Sequence, residues 1–444
     1  MFGIGVLFDI MIHAVDLQCK FQPGRRSLLG TVHTLPYLLD HLLVRRLGIV
    51  GQLLLFPLTM VAVEFAMGVF SPLGTAYGLL AVTQYANLPL LQIISVTGPY
   101  GIGFLIGWFA TTANWAWEKP GVWRREPAVV GAFAVVMMTV LVGGALRLAF
   151  FPPSTSYVRI AGIVPSMDVL RTSNRMLGYD LQGGTHPPSK AELDRIDPVR
   201  LRPAFDVVHA ELFANTRRAA QAGAKIVVWS ENAAVVRDED VPALLAEAAV
   251  VARGEHIYLE VADNIPFVRD ETHLVGPDGS VLWTYRKAYP ILGLEVYAPG
   301  NRKAPVVSTP YGRIANVICY DADFPGLLVG TDADIMLVPG GDWPKMGRVH
   351  TLRMASLRAI ENGFALLRQD SNGVSAAFDY QGHVLALQDT TSDDRHPFIA
   401  DVPARGVGTI YRAIGDTFAW LCVAGSMLFV ALGSFRRRRS SAAE

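Results

Sequence analysis

The hydrophobic residues of this chain are concentrated in four long runs that carry almost no charge. These runs extend over about 47–70, 100–117, 128–150 and 418–435. A helix needs about 20 mostly apolar residues to cross the hydrocarbon core of a bilayer, so each run predicts a membrane-spanning helix. Residues 151–415, by contrast, have the mixed composition of an ordinary globular domain.

Two further apolar stretches have a less regular pattern. Residues 71–98 are interrupted by prolines and glycines, among them Pro72 and Pro89. This favours a re-entrant or interfacial loop, because irregular backbone at membrane depth must be buried in protein or line a cavity. Residues 1–17 contain acidic residues and a histidine, and could form a fifth span, a shortened helix or an interfacial segment. They lack the basic start and cleavage site of a signal peptide.

Glu64 lies within the first apolar run. An ionisable side chain at this depth is costly unless it faces the interior of the helix bundle. Two interpretations stay open from the sequence: Glu64 lines a lipid pocket, or it makes a polar contact between helices.

Basic residues near the ends of the runs predict how the chain is oriented. Clusters of lysine and arginine lie at 45–46, at 119–125 and at 436–439. Such clusters favour the cytoplasm, so residues 151–415 are expected outside it, provided that 71–98 does not cross. We therefore predict a multi-pass protein of the cytoplasmic (inner) membrane with three domains: membrane domain 1–150, a globular domain on the outer, periplasmic side, 151–415, and a last span with a basic tail, 416–444.

The middle domain alternates segments of strand and helix periodicity. Strands are predicted over 157–164, 225–229, 256–261, 313–320, 334–338 and 365–368, helices over 203–222, 241–252 and 348–361, and hairpins over 273–285 and 374–387. The hairpins are marked by turn residues at 277–279 and 381–382. Residues 172–197 are rich in glycine, proline and charge and predict a surface loop. Alternating strands and helices indicate a layered α/β domain.

Composition excludes several kinds of site. The chain has 39 basic and 39 acidic residues, and no basic stripe in the middle domain points to nucleic acid. Only one of the three cysteines, Cys319, lies in that domain, so a disulfide framework is not possible there. Cysteine and histidine spacings do not match a zinc site. We expect no metal and no other cofactor.

Three reactive side chains each follow a predicted strand. Glu231 comes just after the buried strand that ends at Trp229, Lys287 follows the first hairpin, and Cys319 stands at the end of a third strand. Strand ends are where α/β sheets present reactive groups. Each residue alone has an ordinary structural interpretation, since a lone cysteine on an apolar strand is usually packed in the core. The order and context of the three together favour catalysis.

A thiol that attacks an acyl carbonyl needs a base, an oxyanion donor and an acid for the leaving group. Glu231 would take the proton of Cys319 and return it. Lys287 would stabilise both the thiolate and the oxyanion, and the backbone N–H of Tyr320 would add a second donor.

This set of residues resembles the Glu–Lys–Cys triad of the nitrilase, or carbon–nitrogen hydrolase, superfamily. Further matches are the segment 285–300, which contains Glu295, and the segments 339–343, 353–362 and 371–373. The resemblance implies an αββα sandwich fused here to a transmembrane helical bundle. It also implies that Glu295 lies beside the thiol and orients substrate, and it makes Tyr320, Asp321 and Trp343 supporting or substrate-binding candidates.

The membrane part resembles one branch of that superfamily. Segments 56–58, 64–65, 84–85 and 98–104, together with 411–416 before the last span, are similar to the membrane half of the apolipoprotein N-acyltransferase family. The resemblance covers about 35–435. It implies an enzyme that moves an acyl chain from a phospholipid, through a Cys319 thioester, to the N-terminal amine of a diacylglyceryl-cysteine lipoprotein. We expect a monomer.

Several features depart from that family. Ser230 replaces the usual proline, and Asp321 stands where the acyltransferases usually have glutamate. The stretch between Lys287 and Cys319 is short, and early spans are missing at the N-terminus. Residues 321–325 look more like soluble amidases. A membrane-anchored amidase, in which water accepts the acyl group, is therefore the alternative, and a non-catalytic lipid-binding scaffold is a third hypothesis.

Overall fold

The computed structural model describes residues 23–441 apart from 77, 119–120, 154 and 179–194. The helices are α1 (Pro23–Leu43), α2 (Ile49–Phe70), α3 (Leu88–Leu91), α4 (Ile94–Thr97), α5 (Tyr100–Glu118), α6 (Val122–Arg125), α7 (Pro127–Phe150), α8 (Met167–Leu177), α9 (Pro198–Gln221), α10 (Val241–Glu255), α11 (Pro325–Leu328), α12 (Pro344–Val349), α13 (Ser356–Asn362), α14 (Ile410–Ile414) and α15 (Thr417–Ser441). The strands are β1 (Tyr157–Ile163), β2 (Ile226–Trp229), β3 (Ala234–Val235), β4 (Tyr258–Ile265), β5 (Arg269–Val275), β6 (Val281–Arg286), β7 (Val306–Thr309), β8 (Gly312–Asn316), β9 (Ile335–Gly341), β10 (Ala365–Ser371), β11 (Val374–Phe378), β12 (Val384–Asp389) and β13 (Phe398–Pro403).

Among the described residues, three helices are long and apolar enough to cross a membrane: α2, α7 and the stretch Thr417–Phe435 of α15. They coincide with three of the predicted spans. The fourth predicted span is helix α5, which meets the same criterion only together with the preceding stretch Leu88–Thr97, and the two are bent by 117°. Gly98 lies at this bend with a φ of +63°, a backbone conformation that glycine adopts without steric penalty. The described part of 71–98 contains only short helical segments. Its placement as a re-entrant or interfacial loop stays a prediction.

Helix α1 was not predicted, because charged and polar residues interrupt its apolar pattern. It packs on α2 through the edge-to-face rings of Tyr37 and Phe56, whose centroids are 4.9 Å apart. Residues 1–17, the possible fifth span, lie outside the described residues. Within α2, the buried Glu64 accepts a hydrogen bond of 3.0 Å from the backbone N–H of Leu80. Glu64 therefore faces the bundle interior and ties α2 to the re-entrant segment.

The thirteen strands of the described residues, which lie between Tyr157 and Pro403, form two stacked sheets. The first has the strand order β13-β1-β2-β4-β5-β6, with β3 beside β4, and the second has the order β12-β11-β10-β9-β8-β7. Apolar side chains of both sheets, such as Ile226 and Leu337, share one buried core between them. Helices α9 and α10 cover the outer face of the first sheet, and α12, α13 and the π-helix between them (His350–Ala355) cover the second. The predicted αββα sandwich, joined to an apolar helical bundle, is confirmed.

Three predicted elements differ from the structure. The strand predicted over 313–320 ends at Asn316, and Cys319 begins a 3-10 turn, Cys319–Asp323. The helix predicted over 348–361 is longer in the structure. It extends from Pro344 to Asn362, because a π-helical turn joins α12 to α13 without a break. Helix α8 occupies the beginning of the predicted loop 172–197, whose residues 179–194 lie outside the described part.

The parallel cores of the sheets explain why distant residues meet. Strands β1, β2 and β4 run parallel in one sheet, and β8, β9 and β10 run parallel in the other. The carboxyl ends of parallel strands lie at one edge, where side chains of the following loops converge. Glu231 follows β2 and Cys319 follows β8, so stacking the sheets brings the two loops together.

Candidate active site

Lys287 lies at the centre of a buried group of carboxylates. Its Nζ is 2.6 Å from Glu231 Oε1, 2.6 Å from Glu295 Oε1 and 3.8 Å from Asp270 Oδ2. Its backbone is fixed on both sides, since its N–H donates to Asp270 and its carbonyl accepts from Gly300. Burial by itself would lower the pKa of Lys287, but Glu231 and Glu295 outweigh burial and hold that pKa well above its usual range. The lysine is therefore charged.

Glu295 closes the loop that follows Lys287. One of its carboxylate oxygens accepts from Lys287, and the other accepts a 2.7 Å hydrogen bond from the backbone N–H of Ile291. The second glutamate suggested by the sequence is therefore brought to the lysine. Oxygens of Glu231, Asp270 and Glu295 lie within 4.8 Å of one another, a spacing that would suit a metal ion. In this structure the ammonium group of Lys287 supplies the compensating positive charge.

Cys319 is buried and has a φ of +47°, in the left-handed region that non-glycine residues rarely adopt. The strain of such a residue persists only where the surroundings hold it. Burial and the negative charge of Glu231 raise the pKa of the Cys319 thiol well above its usual range, while Arg368 and Lys287 act to lower it. In the resting state Cys319 is a thiol whose pKa is affected by the charges of both Glu231 and Lys287. It needs a base to become nucleophilic.

Asp321 holds the lysine loop against the cysteine turn. Its carboxylate accepts hydrogen bonds from the hydroxyl of Tyr285 at 2.7 Å and from the backbone N–H groups of Ala288, Tyr289 and Ile318 at 2.7–3.2 Å. Burial raises the pKa of Asp321 to about 6, against the opposing effect of these hydrogen bonds. Its position is a supporting one between the two loops. Contact with a substrate stays a prediction.

The segment that follows α2 contacts the cysteine turn directly. The Tyr320 hydroxyl donates to the carbonyl of Pro72 at 3.3 Å. The N–H and hydroxyl of Thr75 donate to the carbonyl of Asp323 at 2.7 and 2.8 Å. Gly74 has a φ of +54°, and a Cβ there would lie 2.5 Å from that same carbonyl oxygen. Close packing of the re-entrant segment on the cysteine turn thus requires glycine.

Trp343 directly follows the buried Asp342 at the end of β9, and its side chain is 39% exposed. It lies at the edge of the sandwich, where the structure records no hydrogen bond from its side chain to the described residues. Its role in binding substrate stays a prediction.

Sequence reasoning missed a second charged group beside the thiol. The guanidinium of Arg368, in β10, contacts Cys319 Sγ and is paired with Asp342, which in turn is 2.9 Å from Nδ1 of His350. The signal was present in the sequence: Arg368, Gln369 and Asp370 are consecutive polar residues at the end of an otherwise apolar strand. Charged residues are seldom fully buried unless they are paired. Three polar residues in a row at the end of an apolar strand could therefore have indicated a functional site.

Comparisons with known proteins agree on both halves of the chain. Residues 27–112 match the family model of the apolipoprotein N-acyltransferase N-terminal domain, and residues 204–411 match that of the carbon-nitrogen hydrolases. Together the two matches cover more than half of the chain.

Individual relatives give the same result. The chain is 24% identical over 430 residues to an apolipoprotein N-acyltransferase of Geobacter metallireducens, covering 88% of this chain and 75% of the relative. It is 24% identical over 385 residues to that of Shewanella oneidensis, covering 75% of this chain and 71% of the relative. Among solved structures, an amidase from Nesterenkonia sp. AN1 in complex with acrylamide is 20% identical, with a TM-score of 0.42, and covers 56% of this chain and 92% of the amidase. The chain is a member of the apolipoprotein N-acyltransferase family, within the nitrilase superfamily.

Proposed function

We propose that this enzyme transfers an acyl chain from a phospholipid to the N-terminal amine of a diacylglyceryl-cysteine lipoprotein, through a thioester on Cys319. One observation carries the proposal: the turn that holds the buried thiol packs on Pro72 and Thr75, directly after a membrane-spanning helix. A nucleophile in that position is supplied with lipid from the bilayer. The name of the relatives, apolipoprotein N-acyltransferase, supports acyl transfer to a nitrogen of a lipoprotein.

In the first half-reaction, Glu231 takes the proton of Cys319 as the sulfur attacks the ester carbonyl of the phospholipid. The ammonium of Lys287 and the backbone N–H of Tyr320 stabilise the oxyanion. When the carbon–oxygen bond breaks, the alkoxide of the lysophospholipid receives the proton from Glu231. Cys319 is then a thioester.

In the second half-reaction, the α-amine of the lipoprotein attacks the thioester carbonyl. Glu231 accepts a proton from the amine, the carbon–sulfur bond breaks, and the thiolate recovers that proton. Lys287 stays charged throughout, because Glu231 and Glu295 both contact its ammonium group. We assign Glu295 the task of orienting Lys287 and the acyl donor.

The proposal includes the arrangement of the chain. We propose a membrane domain, residues 1–150, a catalytic domain, 151–415, on the periplasmic side of the inner membrane, and a last span with a cytoplasmic tail, 416–444. The basic clusters at 119–125 and 436–439 support this orientation.

The test is the intact mass of the purified protein after incubation with phospholipid vesicles. We expect an acyl adduct on the wild type, no adduct on Cys319→Ala, and an undiminished adduct on Cys422→Ala, which removes a buried cysteine of α15 outside the site. Addition of a diacylglyceryl-cysteine peptide should then transfer the acyl chain to the peptide amine. A wild type that never acquires the adduct contradicts the transferase. An adduct released only as free fatty acid, with the peptide present, identifies a hydrolase.

A further inference from the structure

The side chain of Arg368 donates a hydrogen bond to the sulfur of Cys319. Its Nη2 lies 3.5 Å from Sγ, and its Nη1 donates at 3.3 Å to the carbonyl oxygen of the same cysteine. The side chain is 3% exposed, so water does not screen this interaction. One guanidinium therefore contacts both the thiol and the strained backbone that presents it.

The orientation of Arg368 is fixed by two carboxylates. Nη2 also donates to Asp342 at 2.7 Å, and Nε donates to Asp370 at 3.4 Å. Asp342 is held from its other side by His350 at 2.9 Å. A buried arginine normally makes a paired contact with its carboxylate, yet here Asp342 takes only one nitrogen and part of the fork is directed to the cysteine.

The two cations near the thiol, Lys287 and Arg368, differ in what they contact. Both cations are paired with carboxylates, Lys287 with Glu231 and Glu295 at 2.6 Å each and Arg368 with Asp342 at 2.7 Å, but Arg368 also donates a hydrogen bond to the sulfur. Arg368 contributes more than Lys287 to lowering the pKa of the Cys319 thiol, against the opposing effects of burial and Glu231. Arg368 is therefore placed to stabilise negative charge on the sulfur through a direct contact.

We propose that Arg368 is a further catalytic residue, which stabilises the Cys319 thiolate by a direct hydrogen bond and fixes the backbone of the cysteine turn. The inference rests on the proposed role of Cys319 as the nucleophile. In acylation the guanidinium supports the thiolate that forms as Glu231 takes the proton. In transfer to the amine it supports the same thiolate as the leaving group, and it keeps its own protons in both steps.

The test is the rate at which iodoacetamide alkylates Cys319 as a function of pH, in a background where Cys19 and Cys422 are alanine. We expect Arg368→Gln to move the midpoint of the pH profile upward by about one unit or more, equivalent to about a tenfold loss of thiolate at a given pH. Arg368→Lys keeps the charge and should recover part of the shift. Asp342→Asn removes a negative charge that opposes the thiolate and should move the midpoint downward.

Arg313→Gln is the matched control. Arg313 is ion-paired with Asp334 at the start of β8, the strand that leads to Cys319, but it does not contact the cysteine. It should leave the midpoint unchanged. Thermal melting in detergent identifies the variants that fold. If Arg368→Gln does not fold, Arg368→Lys is used in its place for the alkylation measurement.

The proposal is overturned if folded Arg368→Gln alkylates with the wild-type profile, or if Arg368→Gln and Asp342→Asn move the midpoint in the same direction. In the latter case Arg368 has only a structural role. Alkylation needs no phospholipid, so this test is independent of acyl transfer. If the pH profiles of alkylation shift as expected but the protein forms no acyl adduct, the proposed function is wrong and the role of Arg368 is still supported.

Discussion

At the scale of single residues, the site depends on a balance of buried charges. Glu231 and Lys287 are nearly inaccessible to water, and Glu295 is mostly buried. Burying any of these charges alone would be unfavourable, and the arrangement is stable because each is paired. Removing one partner therefore affects the fold as well as the chemistry.

This balance predicts the effect of Lys287→Met. The substitution leaves Glu231 and Glu295 buried without a counter-charge, so we expect a loss of about 3–5 kcal/mol in stability and no acyl adduct. Adding Glu231→Gln removes one of the uncompensated carboxylates and should restore part of the melting temperature, but not the activity. Equal melting temperatures for wild type and Lys287→Met would contradict the charge balance.

His350 predicts a dependence of stability on pH. Burial would lower its pKa, but Asp342, at 2.9 Å, and Asp323, at 4.0 Å, outweigh burial and the charge of Arg368, and they raise that pKa above 6.5. Because the folded pKa exceeds the unfolded one, the ion pair stabilises the protein fully below pH 6.5 and less as the pH rises through the raised pKa.

The measurement is the melting temperature at pH values from below 6.5 upward, for the wild type and for His350→Gln. We expect the advantage of the wild type to be largest at the acidic end and to shrink as the pH rises. An advantage that grows with pH over that range would show that the histidine is not held in its charged form.

At the scale of elements, glycines allow the re-entrant segment to pack. Gly98, at the bend before α5, has a φ of +63°, and a Cβ there would lie 2.6 Å from Cε2 of Tyr411. The Tyr411 hydroxyl donates at 2.8 Å to Asp416, just before α15. The bend thus joins the re-entrant segment to the segment that enters the last span.

We expect Gly98→Ala to destabilise the protein by about 1–3 kcal/mol, because alanine is strained at positive φ and its methyl group would displace Tyr411. The control is Gly131→Ala in α7, where a Cβ meets no atom within 4 Å. It should be neutral or slightly stabilising, since alanine favours helix. Melting temperatures in detergent give the comparison, and a Gly98→Ala variant as stable as Gly131→Ala would refute the packing argument.

At the scale of the whole molecule, the sandwich and the bundle share apolar contacts. Leu357 and Ile360, on α13, are fully buried in one cluster with Ile94, Tyr100 and Ala419 of the membrane helices. Helix α13 also contains a fully buried ion pair, Arg358 with Glu361, at 3.0 Å. The sandwich therefore packs directly on the apolar helices, which fixes its position relative to them.

The proposed orientation predicts the outcome of labelling intact cells with a membrane-impermeant maleimide. Val250, on α10, and Glu126, between α6 and α7, are both exposed. In a background with alanine at Cys19 and Cys422, we expect Val250→Cys to be labelled in cells whose outer membrane is permeable, and Glu126→Cys only after lysis. The reverse pattern would place the sandwich in the cytoplasm.

Much of this architecture was determined by local sequence. Hydrophobic runs of spanning length predict helices whatever surrounds them, because the bilayer requires each span to satisfy its own backbone hydrogen bonds. Turn residues such as Gly279 and Gly382, both at positive φ, marked the hairpins β5–β6 and β11–β12. Glu231, Lys287 and Cys319 were recognisable because their motifs are short and contiguous.

Only the tertiary structure decided what those residues contact. The strand before Cys319 ends at Asn316, four residues before its predicted end, because the turn that follows is held by the carboxylate of Asp321 and by Arg368, which is 49 residues away in the chain. Helix α1 forms although its pattern is interrupted, since packing on α2 compensates for its weak periodicity. Sequence patterns report the burial and backbone preference of each segment, whereas the pairing of Arg368 with the thiol, and of the cysteine turn with Thr75, arises only when segments far apart in the chain are packed together.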